Sequence, residues 1–386
     1  MAFKCDGKTI CTPQFPKVKG NFGFGCMRLP LLENGEVDIA HFSKMVDAFM
    51  ASGFNYFDTA HGYLDGKSET ALCQALTKRY KREDYVLVDK LSPSFFESRE
   101  DIRPFFESQL KATGVEYFDF YLMHSQKRSI YSKYKSCSAY EEALQLKKEG
   151  KIKHFGISFH DSAEFLDEIL TDYPEIEMVQ IQFNYADYDD AAVQSRAVYE
   201  VCKRHGRPIA VMEPIKGGRL AELPEEARKI AEEAGCSPAE LAIRFVAGHE
   251  GVFMTLSGMG SMQMMHQNLA VMKNFKPLSN NELKAISEIN AILKGKGIIS
   301  CTTCRYCVAG CPAGIKIPDL FACANNKTVF PGDWNPLLYY GIHTELGGKA
   351  SSCIGCGACE SICPQHLPIR KLLADIAREF EKSDGK

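Results

Sequence analysis

Eight of the sixteen cysteines stand in two runs towards the C-terminal end of this 386-residue chain. The first is Cys301-Thr-Thr-Cys304-Arg-Tyr-Cys307-Val-Ala-Gly-Cys311-Pro312, and the second is Cys353-Ile-Gly-Cys356-Gly-Ala-Cys359-Glu-Ser-Ile-Cys363-Pro364. Each reads C-x2-C-x2-C-x3-C-P, a spacing that suits thiolate ligation of 4Fe–4S clusters. A zinc ribbon is the alternative, but it uses paired C-x2-C and ends there. The chemistry these runs imply is the movement of single electrons.

A second set of groups lies upstream. Asp58-Thr-Ala-His-Gly-Tyr63 follows one apolar run, Asp89-Lys90 closes another, and Met123-His124 closes a third. They supply a carboxylate, a phenol, an ammonium and an imidazole. A phenol with a pKa near 10 is a reluctant acid at neutral pH. A nearby ammonium favours its ionised form and so lowers that value. A carboxylate beside the lysine fixes its position and balances its charge. A histidine orients or polarises a carbonyl oxygen. The set suits delivery of a proton to a carbonyl while a hydride arrives at carbon.

Regular elements must bring these groups together. Short apolar runs at 22–26, 55–57, 85–90, 118–124, 153–158, 178–182, 208–212 and 252–256 read as strands. Between them, residues 38–51, 67–78, 99–113, 139–148, 162–170, 189–204 and 238–246 carry apolar positions at three- and four-residue spacing, the pattern of helices. Eight strand–helix units in about 250 residues are the arithmetic of a (β/α)8 TIM barrel, whose strands carry function at their carboxyl ends. A doubly wound sheet would want G-x-G-x-x-G after its first strand. Gly23-Phe-Gly25-Cys-Met-Arg28 does not complete one.

The expected organisation is an α/β barrel over residues 1–275, with 1–20 as a hairpin lead-in. A helical linker follows over 276–300, then a small, mainly α-helical, ferredoxin-like iron–sulfur domain over 301–386. Its last helix places Ile369, Leu372, Leu373, Ile376 and Phe380 on one packing face. Net charge is −3, so no basic field points to nucleic acid. No apolar run reaches the length of about 18 residues that a membrane span needs. The opening MAFKCDGKTICTPQ lacks the apolar core of a secretory signal. Cluster ligands must stay as thiolates, which points to a reducing cytoplasm. The other cysteines (Cys5, Cys11, Cys26, Cys73, Cys137, Cys202, Cys236 and Cys323) are expected as small core residues.

Two resemblances sharpen this reading. The cysteine spacing is similar to that of bacterial two-cluster ferredoxins. That implies crossed ligation: Cys301, Cys304, Cys307 and Cys363 on one 4Fe–4S cluster, and Cys353, Cys356, Cys359 and Cys311 on the other. The 41-residue spacer between Cys311 and Cys353 resembles the helical two-cluster domains of respiratory and heterodisulfide-type reductases, which relay electrons between partners. Residues 21–275 resemble the aldo-keto reductase family. The motifs are Gly23-Phe-Gly-Cys-Met-Arg-Leu-Pro30, Asp58-Thr-Ala-His-Gly-Tyr63 with Ser68-Glu69, Asp89-Lys90-Leu91, Asp119-Phe-Tyr-Leu-Met-His124, Gly150-Lys-Ile-Lys-His-Phe-Gly-Ile-Ser158 and Val179-Gln-Ile-Gln-Phe-Asn184.

That second resemblance implies catalytic roles. Tyr63 is then the general acid, Lys90 lowers its pKa, Asp58 pairs with Lys90, and His124 orients the carbonyl. It also implies a nicotinamide cofactor across the barrel mouth. Ser158 and Gln180 would bond its amide, Gly25, Cys26 and Met27 would line the ring, and Met212 would stand where the family often places a stacking tyrosine. Phe159 replaces the family's usual asparagine beside Ser158. The pyrophosphate would lie between a loop carrying Glu213, Ile215 and Gly217 and one carrying Gly258 and Met259. Gln267 and Asn268 would meet the adenine. The positions that commonly grip a 2′-phosphate are Gly258 and Met264, leaving Lys216 or His266 as substitutes.

Three functions follow. One is an NAD(P)H-dependent carbonyl reductase, or the reverse, acting on a small-molecule substrate, whose clusters trade electrons with a redox partner protein. The second is a ferredoxin-coupled reductase with a flavin in the barrel to convert hydride to single electrons. The third is an electron carrier or scaffold without turnover. Residues 126–135 are a candidate substrate-covering segment.

Overall fold

A computed structural model describes residues 14–295, 298–363 and 365–381. The hairpin expected over 1–20 lies largely outside these residues, as do Cys5 and Cys11. The described part, from Gln14 on, forms turns. It seats Phe15 and Val18 in the barrel floor against Phe120 and Phe253.

Among the described residues, eight parallel strands close into a barrel in chain order. They are β1 (Phe22–Gly25), β2 (Tyr56–Asp58), β3 (Val86–Leu91), β4 (Phe118–Gln126), β5 (Ile152–Phe159), β6 (Met178–Gln182), β7 (Ile209–Met212) and β8 (Val252–Gly258). These strands are buried on both faces, which is why the sequence shows apolar runs rather than alternation. Inward side chains such as Tyr56, Val88, Phe120, Leu122, Met178 and Met254 fill the interior, so the barrel is a packed core with its cavity at one end. At Gly156 a Cβ would meet the Met178 sulfur at 2.4 Å and a Leu122 methyl at 2.8 Å, so only glycine lets β5 pass between them.

Two segments depart from expectation. The helix expected over 189–204 starts only at Ser195. Upstream, the Asp190 carboxylate accepts from the backbone N–H groups of Ala192 and Val193, and Gln194 adopts a left-handed φ of 54°. This turn presents Ala192 and Val193 to the apolar core of the C-terminal module. The segment expected as a linker, 276–300, carries the helix Asn280–Lys294. Ser279 and Glu282 form a capping box at its start, and Ile286, Ile289 and Leu293 are buried in the same cluster as the barrel's helical layer. The helix therefore packs against the barrel.

The module has its own apolar core, built from Ile315, Ile317, Leu320, Phe321, Tyr339 and Ile376 among others. It sits against the carboxyl end of the barrel through paired polar contacts. Tyr339 donates to Gln182 Oε1 at 3.1 Å and Asn326 to Asp190 Oδ2 at 2.9 Å. Lys127 reaches Glu345 at 3.1 Å, and His343 lies 3.1 Å from the Ala192 carbonyl. Among the described residues no helix is long and apolar enough to cross a membrane. The six scattered cysteines that are described are all buried and free.

The position of Ile289 gives a test of this arrangement. Ile289→Ala should lower barrel stability by about 2–5 kcal/mol, the cost of a buried cavity. Urea unfolding followed by far-ultraviolet circular dichroism reads this; a midpoint equal to wild type would place the helix off the barrel.

Candidate active site and cluster-binding sites

Lys90 near the end of β3 is only 1% exposed. Its ammonium donates to Asp58 Oδ1 and to the Thr59 carbonyl, both at 2.7 Å, and to the Tyr63 hydroxyl at 3.3 Å. Parallel pairing makes this possible: Asp58 is in register with Val88, so Lys90 lies one inward position further along and leans over the end of β2. Gln180 on β6 donates to the other Asp58 oxygen at 3.4 Å. Burial pushes the Asp58 carboxyl up, towards neutrality, whereas Asp58 pushes the lysine up, towards its charged form. Burial alone would lower Lys90, and Asp58, Tyr63 and Asp89 together more than offset it. With two acceptors at 2.7 Å, the ammonium stays protonated and the pair stands as an ion pair.

Tyr63 differs from expectation in one respect. Burial holds its phenol above the usual value, and the neighbouring Lys90 charge only partly offsets that. The group is therefore a protonated donor at neutral pH. The His124 ring meets Tyr63 edge-on, with centroids 6.0 Å apart. Burial, aided by the Lys90 charge, holds this imidazole well below its ordinary pKa, so it is neutral. Its Nδ1 lies 2.6 Å from the Ser92 hydroxyl. If that hydroxyl donates, the ring proton sits on Nε2.

These groups border a cavity of about 600 Å³ at the carboxyl end of the barrel. Asp58, Tyr63 and His124 line it; Lys90 lies behind them. Gly25, Met27, Ser158, Gln180 and Met212 line it as well. So do Glu213, Ile215, Gly217, Gly258, Gln267 and Asn268. Ser158 is spoken for in part, since its hydroxyl accepts from the Ser125 backbone N–H at 2.7 Å. The Gln180 carbonyl oxygen is buried with no partner and is available to a ligand amide.

Two expected lining residues do not reach the cavity with their side chains. Cys26 is fully buried, its thiol 3.5 Å from the Phe24 carbonyl, and burial pushes that thiol well up. Met259 is fully buried among the helices. Both follow from alternation: where Gly25, Met27 and Gly258 face the cavity, the intervening side chain faces away. Phe159 likewise turns outward and packs near Phe165. Lys216 cannot serve as a free cation. It is 1% exposed and bound to Asp187 at 2.6 Å, with Asp333 at 3.6 Å. His266, exposed, does not line the cavity. Of residues 126–135 none lines it; the helix Arg128–Ser136 buries Tyr131 and Tyr134 against the barrel instead.

Several lining residues were not singled out from sequence as site residues. Arg28 lines the cavity and, among the described residues that do so, carries the one permanent positive charge. Its guanidinium would lie 3.3 Å from a Cβ at Gly217, and its side chain runs 3.6 Å from one at Gly258. It thus bridges the two glycine loops; the motif Gly23–Pro30 contained it, but its position in a loop gave no local signal of role. His160 lines the cavity with an unpartnered Nδ1, and burial lowers its pKa to about 4. Trp334 and Asn335 come from the C-terminal module. Nothing in their local pattern announces a site.

The cysteines gather in two further cavities. Cys301, Cys304, Cys307 and Cys363 line one; Cys311, Cys353, Cys356 and Cys359 line the other. In each, three thiols come from one run and the fourth from the other. Among the described residues no three metal-binding side chains converge closely enough for a single ion. Four thiols surrounding a space fit a cubane, whereas a zinc site draws its sulfurs to one point at about 2.3 Å. Cys304 and Cys356 are exposed, so both spaces open near the surface.

Comparison with known proteins agrees. Residues 21–291 match the aldo/keto reductase family, and residues 300–367 match a 4Fe-4S dicluster domain. A putative voltage-gated potassium channel subunit beta of Schizosaccharomyces pombe is 25% identical over 309 residues, which are 66% of this chain and 86% of that protein. The NADH-specific methylglyoxal reductase of Escherichia coli is 29% identical over 186 residues, 44% of this chain and 54% of its own. An aldo-keto reductase from Klebsiella pneumoniae, solved in complex with NADPH, superposes with a TM-score of 0.58 at 22% identity. It covers 70% of this chain and 92% of its own. The flavin expected as a further cofactor gains no support from these proteins.

The histidine offers a direct check. Because its imidazole is held neutral, the His124 ring resonances should show no titration between about pH 5.5 and 8. An inflection near 6.5 that disappears in His124→Gln would contradict the burial described for it.

Proposed function

The chain is an oxidoreductase of the aldo/keto reductase family, and from that premise we propose that it reduces an aldehyde or ketone with a nicotinamide cofactor held in the barrel cavity. The observation that carries this is the Lys90 ammonium poised between Asp58 and the Tyr63 hydroxyl at the cavity wall. Bound there, NADPH or NADH supplies a hydride. Gln180 offers its unpartnered oxygen to the carboxamide beside Ser158. Arg28 and the loops at Gly217 and Gly258 meet the pyrophosphate, next to the start of the helix Met262–Lys273. Gln267 and Asn268 face the adenine side. Lys216 and His266, expected as substitutes at the 2′-phosphate, do not line the cavity, so no cation is assigned to that phosphate.

The remaining chemistry belongs to side chains. Tyr63 donates its proton to the carbonyl oxygen as the carbon accepts the hydride. Lys90 stabilises the phenolate left behind, and Asp58 keeps Lys90 charged and in place. His124, neutral and held through Nδ1 by Ser92, directs Nε2–H at the same oxygen. In the module, the two crossed sets of four cysteines would hold two 4Fe–4S clusters, which would supply one-electron steps. With Cys304 and Cys356 exposed, clusters held there would lie near enough to the surface to exchange single electrons with a redox partner protein.

Two outcomes are expected. Tyr63→Phe removes the proton donor alone, so carbonyl reduction should fall by roughly 10²–10⁴-fold while NADPH still quenches protein fluorescence with wild-type affinity. Near wild-type turnover would reject Tyr63 as the acid. For the clusters, Cys304→Ala and Cys363→Ala should abolish or alter the same paramagnetic resonance signal, and Cys311→Ala the other. If Cys363→Ala instead acted together with Cys356→Ala, ligation would not be crossed.

A further inference from the structure

One helix of the module runs from the cysteine-lined spaces to a loop on the wall of the barrel cavity. It spans Ile317–Val329. At its start, Ile317, Pro318 and Phe321 line the space around Cys301, Cys304, Cys307 and Cys363, and Ile317 also lines the one that holds Cys311 and Cys353. Its 13 residues carry it about 20 Å. Along the way Asn326 donates to Asp190 Oδ2 at 2.9 Å. At the far end Phe330 is buried in the apolar cluster of the barrel. The Lys216 ammonium lies 5.0 Å from the centre of its ring. The turn that follows presents Asp333, a buried carboxylate whose Oδ2 makes no hydrogen bond and lies 3.6 Å from the same ammonium.

Lys216 stands between Ile215 and Gly217, which both line the cavity. The backbone is unusual there. Glu213 has a φ of 58° and Lys216 one of 47°, left-handed values that residues other than glycine adopt rarely. Such a conformation persists only where its surroundings over-determine it. Those surroundings meet at the Lys216 side chain. On the barrel side it binds Asp187 at 2.6 Å; on the module side it meets Phe330 and Asp333. Arg219 leans on the module as well, since a Cβ at Gly332 would meet its guanidinium at 2.8 Å. Withdrawing the module would take away the second carboxylate, open the ammonium to water and free the loop to relax.

We propose that Asp333 is a positioning residue for this loop, acting through Lys216, so that assembly of the clusters in the module raises the affinity of the barrel for its nicotinamide cofactor. This rests on the reading of the cavity as the nicotinamide site. Clusters brace the start of the helix Ile317–Val329. The helix places Phe330 and Asp333 on Lys216, and Lys216 fixes Gly217 at the cavity wall. The coupling is reciprocal: bound cofactor favours the docked module by the same factor. The competing account is an ion pair that only fastens two domains together. It would change stability and leave cofactor binding alone.

The test is calorimetric titration of NADPH into the full-length protein under anaerobic conditions. The wild-type Kd is measured with clusters loaded and again after iron is removed with a chelator. Stripping should raise it roughly fivefold or more. Asp333→Asn, with its cluster absorption intact, should raise it by a similar factor, seen in turnover as a rise in KM for NADPH that exceeds any fall in kcat. Lys216→Met should weaken binding as well, and Asp333→Asn should add nothing in that background, because the carboxylate acts through the ammonium. Losses that multiply would separate the two residues and overturn the proposal. So would a wild-type Kd unchanged by stripping, a result that needs no variant to fold. An Asp333→Asn protein that melts earlier yet binds NADPH as wild type does would overturn it too. Wild type that binds no NADPH in either state would instead remove the nicotinamide reading of the cavity, and the proposal with it.

Discussion

The site depends on a positive charge buried where water cannot reach it. An unpaired ammonium at the end of a barrel strand would cost several kcal/mol. The fold meets that cost with three acceptors from β2 and the loop after it: Asp58, the Thr59 carbonyl and the Tyr63 hydroxyl. The same loop is tied to its neighbours. Cys26 donates its backbone N–H to the Asp58 carbonyl at 2.8 Å, Thr59 donates to the Val88 carbonyl at 3.0 Å, and Ser68 donates to the Cys26 carbonyl at 2.9 Å. Behind Lys90 lie Asp89, Gln109 and Glu69, a buried acidic layer in which burial pushes Glu69 up to about 7. The phenol therefore has one place to be, which pre-organises it as a donor.

A second buried lysine does for the two domains what Lys90 does for the loop. Lys216 belongs to the loop after β7, and its ammonium binds Asp187 of the loop after β6 and faces Asp333 of the module. Burial works against its charge, and Asp187, Asp333 and Asp190 together more than offset that, so the lysine is held above its ordinary range. Gly217, the next residue, faces the cavity where phosphate is proposed to lie. The cofactor loop and the module thus share one buried charge, and the wall formed by Trp334 and Asn335 is continuous with it.

Much of this was legible in sequence because it is local. Barrel strands buried on both faces read as apolar runs, and their helices as three- and four-residue spacing. Asp58, Lys90 and His124 stand at or near the ends of such runs, and the cysteine spacing needs no tertiary information. What failed to show was tertiary. Residues 189–194 carry a helical pattern, but Asp190 caps a turn instead and the turn buries Ala192 and Val193 in the module. The charged face of the helix Asn280–Lys294 hid its buried face, with Ile286 and Ile289 fully enclosed. Cys26 and Met259 belonged to the right loops but fell on the wrong side of an alternating chain, a point the period of two already contained. Lys90 was expected to draw the Tyr63 pKa down, and burial proves the larger effect. Trp334 and Asn335 sit in a long spacer, and only the docking of the module brings them to the cavity.

The central claim is that the buried ammonium makes Tyr63 a working acid. Its most direct test is NADPH-dependent reduction of a panel of aldehydes and ketones by Lys90→Met, a variant of similar length without the charge. The account predicts a fall in turnover of roughly 10²-fold or more with NADPH affinity retained. Turnover within a few-fold of wild type would show that the phenol does not depend on the lysine, and would contradict it.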